Sequence, residues 1–280
     1  MSLGFWNSNG RISEMGKINK TQSARNSGVQ SRWYGNGRRT FFLVFALTLM
    51  VVDMYLIFVW APTESVMGHV QRIFYIHVPM AWTAFLAFFL VFLASILYLP
   101  VRKAPAWTRR WRLWERNPIW DIVASSAAEI GLVFTTLVLI TGPIWAKPIW
   151  GIWWTWDARL TTTLVLWLIY VAYLMLRAYS SNRSQAGVYS AVLGIIGFID
   201  VIIVYRAVDW WETQHQRLVV SFDRFDVASD MRLVLYFSTF TFLVLFGYLM
   251  WQLISIKRLE ITIRQTKDKL SMAKIRDARR

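Results

Sequence analysis

Apolar residues fall into six blocks along the chain, at 41–61, 80–99, 122–145, 162–179, 188–205 and 233–256, with polar or basic stretches between them. Each block is close to the roughly 20 residues that a helix needs to cross a hydrocarbon core about 30 Å thick. The pattern predicts an all-α membrane protein, a six-transmembrane-helix bundle spanning 41–256. Residues 1–40 are rich in Ser, Asn, Gly and Arg and poor in apolar side chains, which predicts a disordered basic tail. A second basic tail, 257–280, follows the last block. No short apolar stretch with a small-residue cleavage site precedes the first block, so no cleaved signal peptide is expected.

Composition sharpens this picture. Of the 280 residues 56% are hydrophobic, against roughly 45–50% in a soluble domain of ordinary composition. The formal net charge of +15 would suggest nucleic acid in a soluble protein. Here the cations gather in the two tails and in alternate loops, as topology selection produces, and no nucleic-acid partner is expected. Arg38 and Arg39 precede the first block, Arg102 to Arg116 fill the second connection, and Lys257 to Arg280 follow the last block. The positive-inside rule then puts both termini in the cytoplasm and the connections 62–79, 147–161 and 207–231 on the outer face.

Several chemistries are excluded. The chain has no Cys, so disulfides, thiolate metal sites and thiol redox chemistry are absent. It has no GxxxxGK[ST] phosphate loop, HExxH motif or Ser-His-Asp arrangement.

What remains collects on the outer side. His77 enters the second block in "RIFYIHVPMAW", and His215 follows the fifth in "WWETQHQ". Two imidazoles from separate segments can ligate a planar metal macrocycle from opposite faces. No further ligands have the spacing of a zinc site. An interfacial His that bonds a loop carbonyl is the plainer reading, and it is the one kept for His69. Trp145, Trp150, Trp153, Trp154 and Trp156 crowd one connection, more densely than an interfacial aromatic belt requires. If that stretch is helical, Trp150, Trp153, Trp154 and Asp157 share a face by i, i+3 and i+4 spacing, giving an indole platform for a large flat ligand. Arg72 and Arg159 could each bind a carboxylate at the edge of such a ligand or pair with an acid such as Asp157. Asp53, Glu129 and Asp200 fall within the apolar blocks, where carboxylates are costly; hydrogen bonding inside the bundle is the expectation for them.

The segments "WGIWWTWDARLT", "RIFYIHVPMAW", "TGPIWAKPIWG" and "WWETQHQ" together resemble the heme exporter protein C family of cytochrome c maturation. The similarity covers about residues 41–250. Related assembly proteins share the Trp-Trp-Asp signature but continue with Pro-Lys-Glu, whereas this chain continues Ala158-Arg159-Leu160. The resemblance implies heme b bound at the outer face between the Trp-rich segment and two axial histidines, which match His77 and His215. It implies delivery to a membrane-anchored heme chaperone beside an ATP-binding cassette complex: an ATP-binding subunit, its membrane partner and a small membrane subunit. In this reading Trp150, Trp153, Trp154 and Trp156 form the platform and edge, Asp157 orients the segment, and Arg72 and Arg159 meet propionates or the chaperone. No catalytic residue is expected. A cofactor-free structural subunit of a transporter complex is the alternative, and an enzyme of covalent heme attachment ranks below it.

Overall fold

The structure is a computed structural model and describes residues 36–99, 118–180, 182–211, 220–221, 224–225 and 229–278. The chain divides into two compact units, Met1–Leu47 and Thr48–Arg280. In the first, the described residues are helical and expose Phe41, Phe42 and Val44.

The helices are α1 (Asn36–Tyr55), α2 (Phe74–Tyr98), α3 (Pro118–Trp150), α4 (Ala158–Tyr179), α5 (Arg183–Trp210) and α6 (Ser229–Ala278). A π-helical turn, Leu56–Trp60, extends α1, and a 3-10 turn, His69–Ile73, leads into α2. Among the described residues, six helices are long and apolar enough to cross a membrane. Two short antiparallel strands, β1 (Val220–Ser221) and β2 (Arg224–Phe225), lie between α5 and α6 in the chain. The six expected spans are therefore present, with their ends displaced. The third runs five residues beyond Trp145 to Trp150, through Pro143 and Pro148. Each proline removes one backbone donor, but the helix continues past both. The basic stretch after residue 256 is helical too: α6 has 50 residues, about 75 Å at 1.5 Å per residue, more than twice a hydrocarbon thickness.

Large apolar side chains at mid-helix face outward, with Val51 70%, Val133 58% and Ile199 56% exposed. Such a surface is stable only where lipid replaces water. Inside, α2 is the hub of the second unit and packs on α3, α5 and α6. Its Ala84, Ala87, Ala94 and Ser95 are small and buried, as are Ala124, Ala127, Ala128 and Gly131 on α3. Small residues let two backbones approach closely where lipid supplies no hydrophobic drive. At Gly131 the approach of α2 to α3 is close: a Cβ there would sit 2.6 Å from Phe88 Cε1 and 3.1 Å from Ala87 Cβ. Phe88 in turn stacks on Tyr170 of α4 at 3.8 Å between ring centroids and 16°.

Polar pairs tie the helices laterally. Ser238 Oγ donates to Asp53 at 2.7 Å, joining α6 to α1. Lys257 Nζ lies 2.6 Å from Glu129 Oε1 and 2.8 Å from Ser125 Oγ, joining α6 to α3. Arg177 meets Asp121 through two bonds of 2.6 and 2.8 Å, joining α4 to α3. Asp53 and Glu129 thus have the interior bonds expected of them. Asp200 is buried, and its Oδ2 has no hydrogen-bond partner among the described residues.

Gly131→Val is expected to force Phe88 off Tyr170 and to destabilise the bundle by about 1–3 kcal/mol, the usual cost of overpacking. Thermal unfolding in detergent would measure this, with partial recovery when Phe88→Leu is added to make room.

Candidate functional site

The Trp-rich connection takes its shape from a glycine and an aspartate. Gly151 has φ +77°, a left-handed conformation that glycine adopts without steric cost. Its N–H donates to Lys147 O at 3.0 Å and its carbonyl accepts from Lys147 Nζ at 2.7 Å. This is an αL cap, and it ends α3 at Trp150. Six residues later Asp157 caps α4: Oδ1 accepts from Leu160 N at 2.9 Å and Oδ2 from Thr155 Oγ1 at 3.2 Å.

Residues 151–157 between the caps are not helical. The shared helical face considered for Trp150, Trp153, Trp154 and Asp157 is therefore not formed, because Gly151 turns the chain before Trp153. Trp150 instead lines a cavity, while Trp153 and Trp156 are 58% and 76% exposed. Lys147 Nζ lies 6.0 Å from the Trp153 ring centroid. Trp154 is half-buried and meets Trp156 edge to face at 5.6 Å.

The cavity has a volume of about 890 Å³, near the upper end for small-molecule sites. Its aromatic wall includes Phe74, Trp82, Phe85, Trp145 and Trp150, and its polar groups include His77, Gln71, Glu64 and Arg159. The loop from Pro62 to Met67 closes one side. Glu64 braces that loop, since its carboxylate accepts from Val66 N at 2.9 Å and from Met67 N. These bonds, Met67 first, hold its carboxyl below the usual carboxylate range. Gly68 N donates to Glu64 O at 3.0 Å and closes the turn.

His77 stands on the first turn of α2 and faces α3. Its Nδ1 lies 2.8 Å from Thr141 Oγ1, and its ring centroid is 5.7 Å from that of Trp145. Arg159, half-buried on the first turn of α4, makes no ion pair among the described residues, although Asp157 and Asp209 act on it through space. Arg72 does not line the cavity; its guanidinium donates to Phe58 O and so satisfies a carbonyl of the π-helical turn. His69 is exposed at the start of the 3-10 turn. His215 lies outside the described residues.

Two buried polar atoms belong to side chains lining the cavity and have no partner among the described residues: Trp145 Nε1 and Gln71 Oε1. Buried polar atoms are normally bonded, so a ligand bearing an acceptor, such as a carboxylate, would satisfy the indole N–H. A large flat ligand with carboxylates at its edge and an atom that accepts an imidazole nitrogen fits this set of donors. In the sequence Trp145 stood out only as one member of the dense tryptophan cluster, and nothing marked Gln71.

The fold and the cavity define a six-span integral membrane protein with an aromatic, histidine-bearing cavity at one end of its bundle. The chain belongs to the heme exporter protein C family, whose model matches residues 26–271. It is 38% identical over 156 residues to "Heme exporter protein C" of Bradyrhizobium diazoefficiens, covering 56% of this chain and 54% of that protein. The chain thus spans about half the length of that relative. It is 35% identical over 188 residues to the protein of the same name from Escherichia coli K12, covering 67% of this chain and 70% of the relative. For the Haemophilus influenzae protein of that name the identity is 30% over 206 residues, covering 72% and 78%.

Asp157→Ala is expected to cost about 1 kcal/mol by loss of the helix cap and to speed amide exchange at Leu160, with Asp157→Asn close to wild type. The Glu64 brace should hold above the ordinary carboxylate value of 4.5 and fade as the pH falls through its lower folded value. Amide exchange at Val66 and Met67, corrected for intrinsic rates, should then accelerate at low pH, and at neutral pH in Glu64→Ala.

Proposed function

We propose that this protein binds heme b in the cavity at the outer end of its bundle and delivers it to a membrane-anchored heme chaperone during cytochrome c maturation. The observation that carries the reading is His77, an imidazole in the wall of a large aromatic cavity that also holds a guanidinium. The names of the relatives support heme as the cargo.

In this reading His77 ligates the iron from one face and His215 from the other. Trp145 and Trp150 enclose the ring from inside, and Trp153, Trp154 and Trp156 form the edge open to partners. Arg159 meets a propionate, Trp145 Nε1 can donate to a second acceptor, and Arg72 secures the turn beside the site while keeping donors for propionate or chaperone. Asp157 orients the segment by capping α4. The chain handles heme without transforming it, so its residues bind, orient and release. Release is simplest if one axial histidine is exchanged for a ligand of the acceptor.

The protein then sits in the inner membrane with the cavity facing the periplasm and both termini in the cytoplasm. Arg177, Lys257 and the further cations of α6 lie towards the bundle end away from the cavity, which supports that orientation. The ATP-binding cassette subunit, its membrane partner and a small membrane subunit are the proposed neighbours.

The wild-type protein, purified from cells with ample heme, should show the absorption spectrum of a low-spin heme with two imidazole ligands. His77→Ala and His215→Ala should each lose that signature or much of their heme. Heme content and ligation unchanged in both variants would overturn the assignment.

A further inference from the structure

We infer that Thr141 is a positioning residue that fixes the tautomer and the orientation of His77, so that Nε2 is the nitrogen presented to iron. The inference rests on the reading of His77 as a heme ligand.

The hydroxyl of Thr141 has one hydrogen to give. It is directed along α3 to Leu137 O at 2.8 Å, with Val138 O at 3.4 Å as a weaker second acceptor. The contact of 2.8 Å between Thr141 Oγ1 and His77 Nδ1 must then carry the imidazole's hydrogen. Nδ1–H donates and the hydroxyl accepts through a lone pair. A neutral imidazole has a single N–H, so the proton on Nδ1 leaves Nε2 unprotonated, the form in which it can ligate a metal. In the opposite tautomer Nδ1 would need a hydrogen from Thr141, and the Leu137 and Val138 carbonyls would lose theirs.

The same helix holds the ring in place. A Cβ at Gly142 would meet His77 Cε1 at 3.5 Å, ordinary van der Waals contact, so the imidazole edge lies against the α3 backbone. Trp145, one turn on, is tilted 58° to the imidazole plane. Thr141, Gly142 and Trp145 thus bound the ring from a single helix, and of these three Thr141 supplies the polar contact to Nδ1. A hydrogen bond accepted from the distal N–H also raises the electron-donating power of the ligating nitrogen, which favours ferric over ferrous iron.

The test uses the full-length protein in detergent, with heme added as hemin. Thr141→Val removes the acceptor at nearly constant volume, Thr141→Ala removes it without crowding the ring, and Thr141→Ser retains it. Valine and alanine should each weaken heme binding about 10–100-fold, the usual effect of losing such an outer-shell partner. In the heme they still bind, the midpoint potential should rise. Serine should restore both affinity and potential, a rescue that a packing role for the threonine methyl would not give. If valine and alanine bind heme with wild-type affinity and potential, or if serine is as impaired as they are, the inference is overturned. His77→Ala separates the two levels. If it leaves the wild-type spectrum intact, the axial assignment fails and this inference with it. If it abolishes that spectrum while the Thr141 variants remain normal, only the role of Thr141 fails.

Discussion

The close antiparallel packing of α2 against α3 is the constraint on which the rest depends. Gly131 admits Phe88 and Ala87 at a separation that no side chain would allow. His77 lies ten residues before Ala87 on α2, and Thr141 lies ten residues after Gly131 on α3. One register therefore sets both this close contact of the core and the polar contact of the cavity. A slide by one helical turn, about 5.4 Å, would put a side chain where Gly131 sits and carry Thr141 out of reach of His77. Geometry at the site is thus secured by packing some 15 Å away along the helix, which small buried residues can hold to a fraction of an ångström.

The ion pairs of α3 and the cavity are kept apart along the same helix. Asp121 and Glu129 take their partners Arg177 and Lys257 in the first half of α3, whereas Thr141, Trp145 and Trp150 occupy its last turns. Twenty residues separate Asp121 from Thr141, about 30 Å of helix. Paired charges anchor α4 and α6 to α3 at one end, where each carboxylate has a cation to offset its desolvation. The other end keeps Arg159 and the Trp145 N–H uncommitted to partners among the described residues. A ligand can therefore be bound and released there without dismantling the contacts that hold the bundle.

The sequence revealed what hydrophobic length controls and concealed what single contacts control. Six spans were legible because roughly 20 apolar residues have few alternatives, and His77 stood out as one of only three histidines. The continuation of α6 to Ala278 was hidden because the last stretch is polar and basic, and composition alone does not separate a solvated helix from a tail. Thr141 was illegible for a different reason. Threonine in an apolar helix commonly bonds back to a carbonyl four residues earlier, as Thr83, Thr135 and Thr136 do here. Only the neighbouring helix distinguishes the one whose lone pair also serves an imidazole.

The Trp-rich stretch shows how two small residues can divide a cluster of large ones. As a helix it would have lined up its indoles on one wall. The left-handed Gly151 and the cap at Asp157 make it a short strap instead, pinned at both ends. Trp150, the last residue of α3, then belongs to the cavity, and Trp153 and Trp156 belong to the surface. The indoles of Trp153 and Trp156 on the strap thus face outward while the indole at its root faces the cavity. A displacement of the strap has two covalent routes inward: Gly151 into Trp150, and Asp157 into Arg159 on the first turn of α4. Both routes end on side chains that line the same cavity. The position of the strap is therefore tied to the inner wall and to the guanidinium together, while the ion pairs of Asp121 and Glu129 lie at the far end of α3.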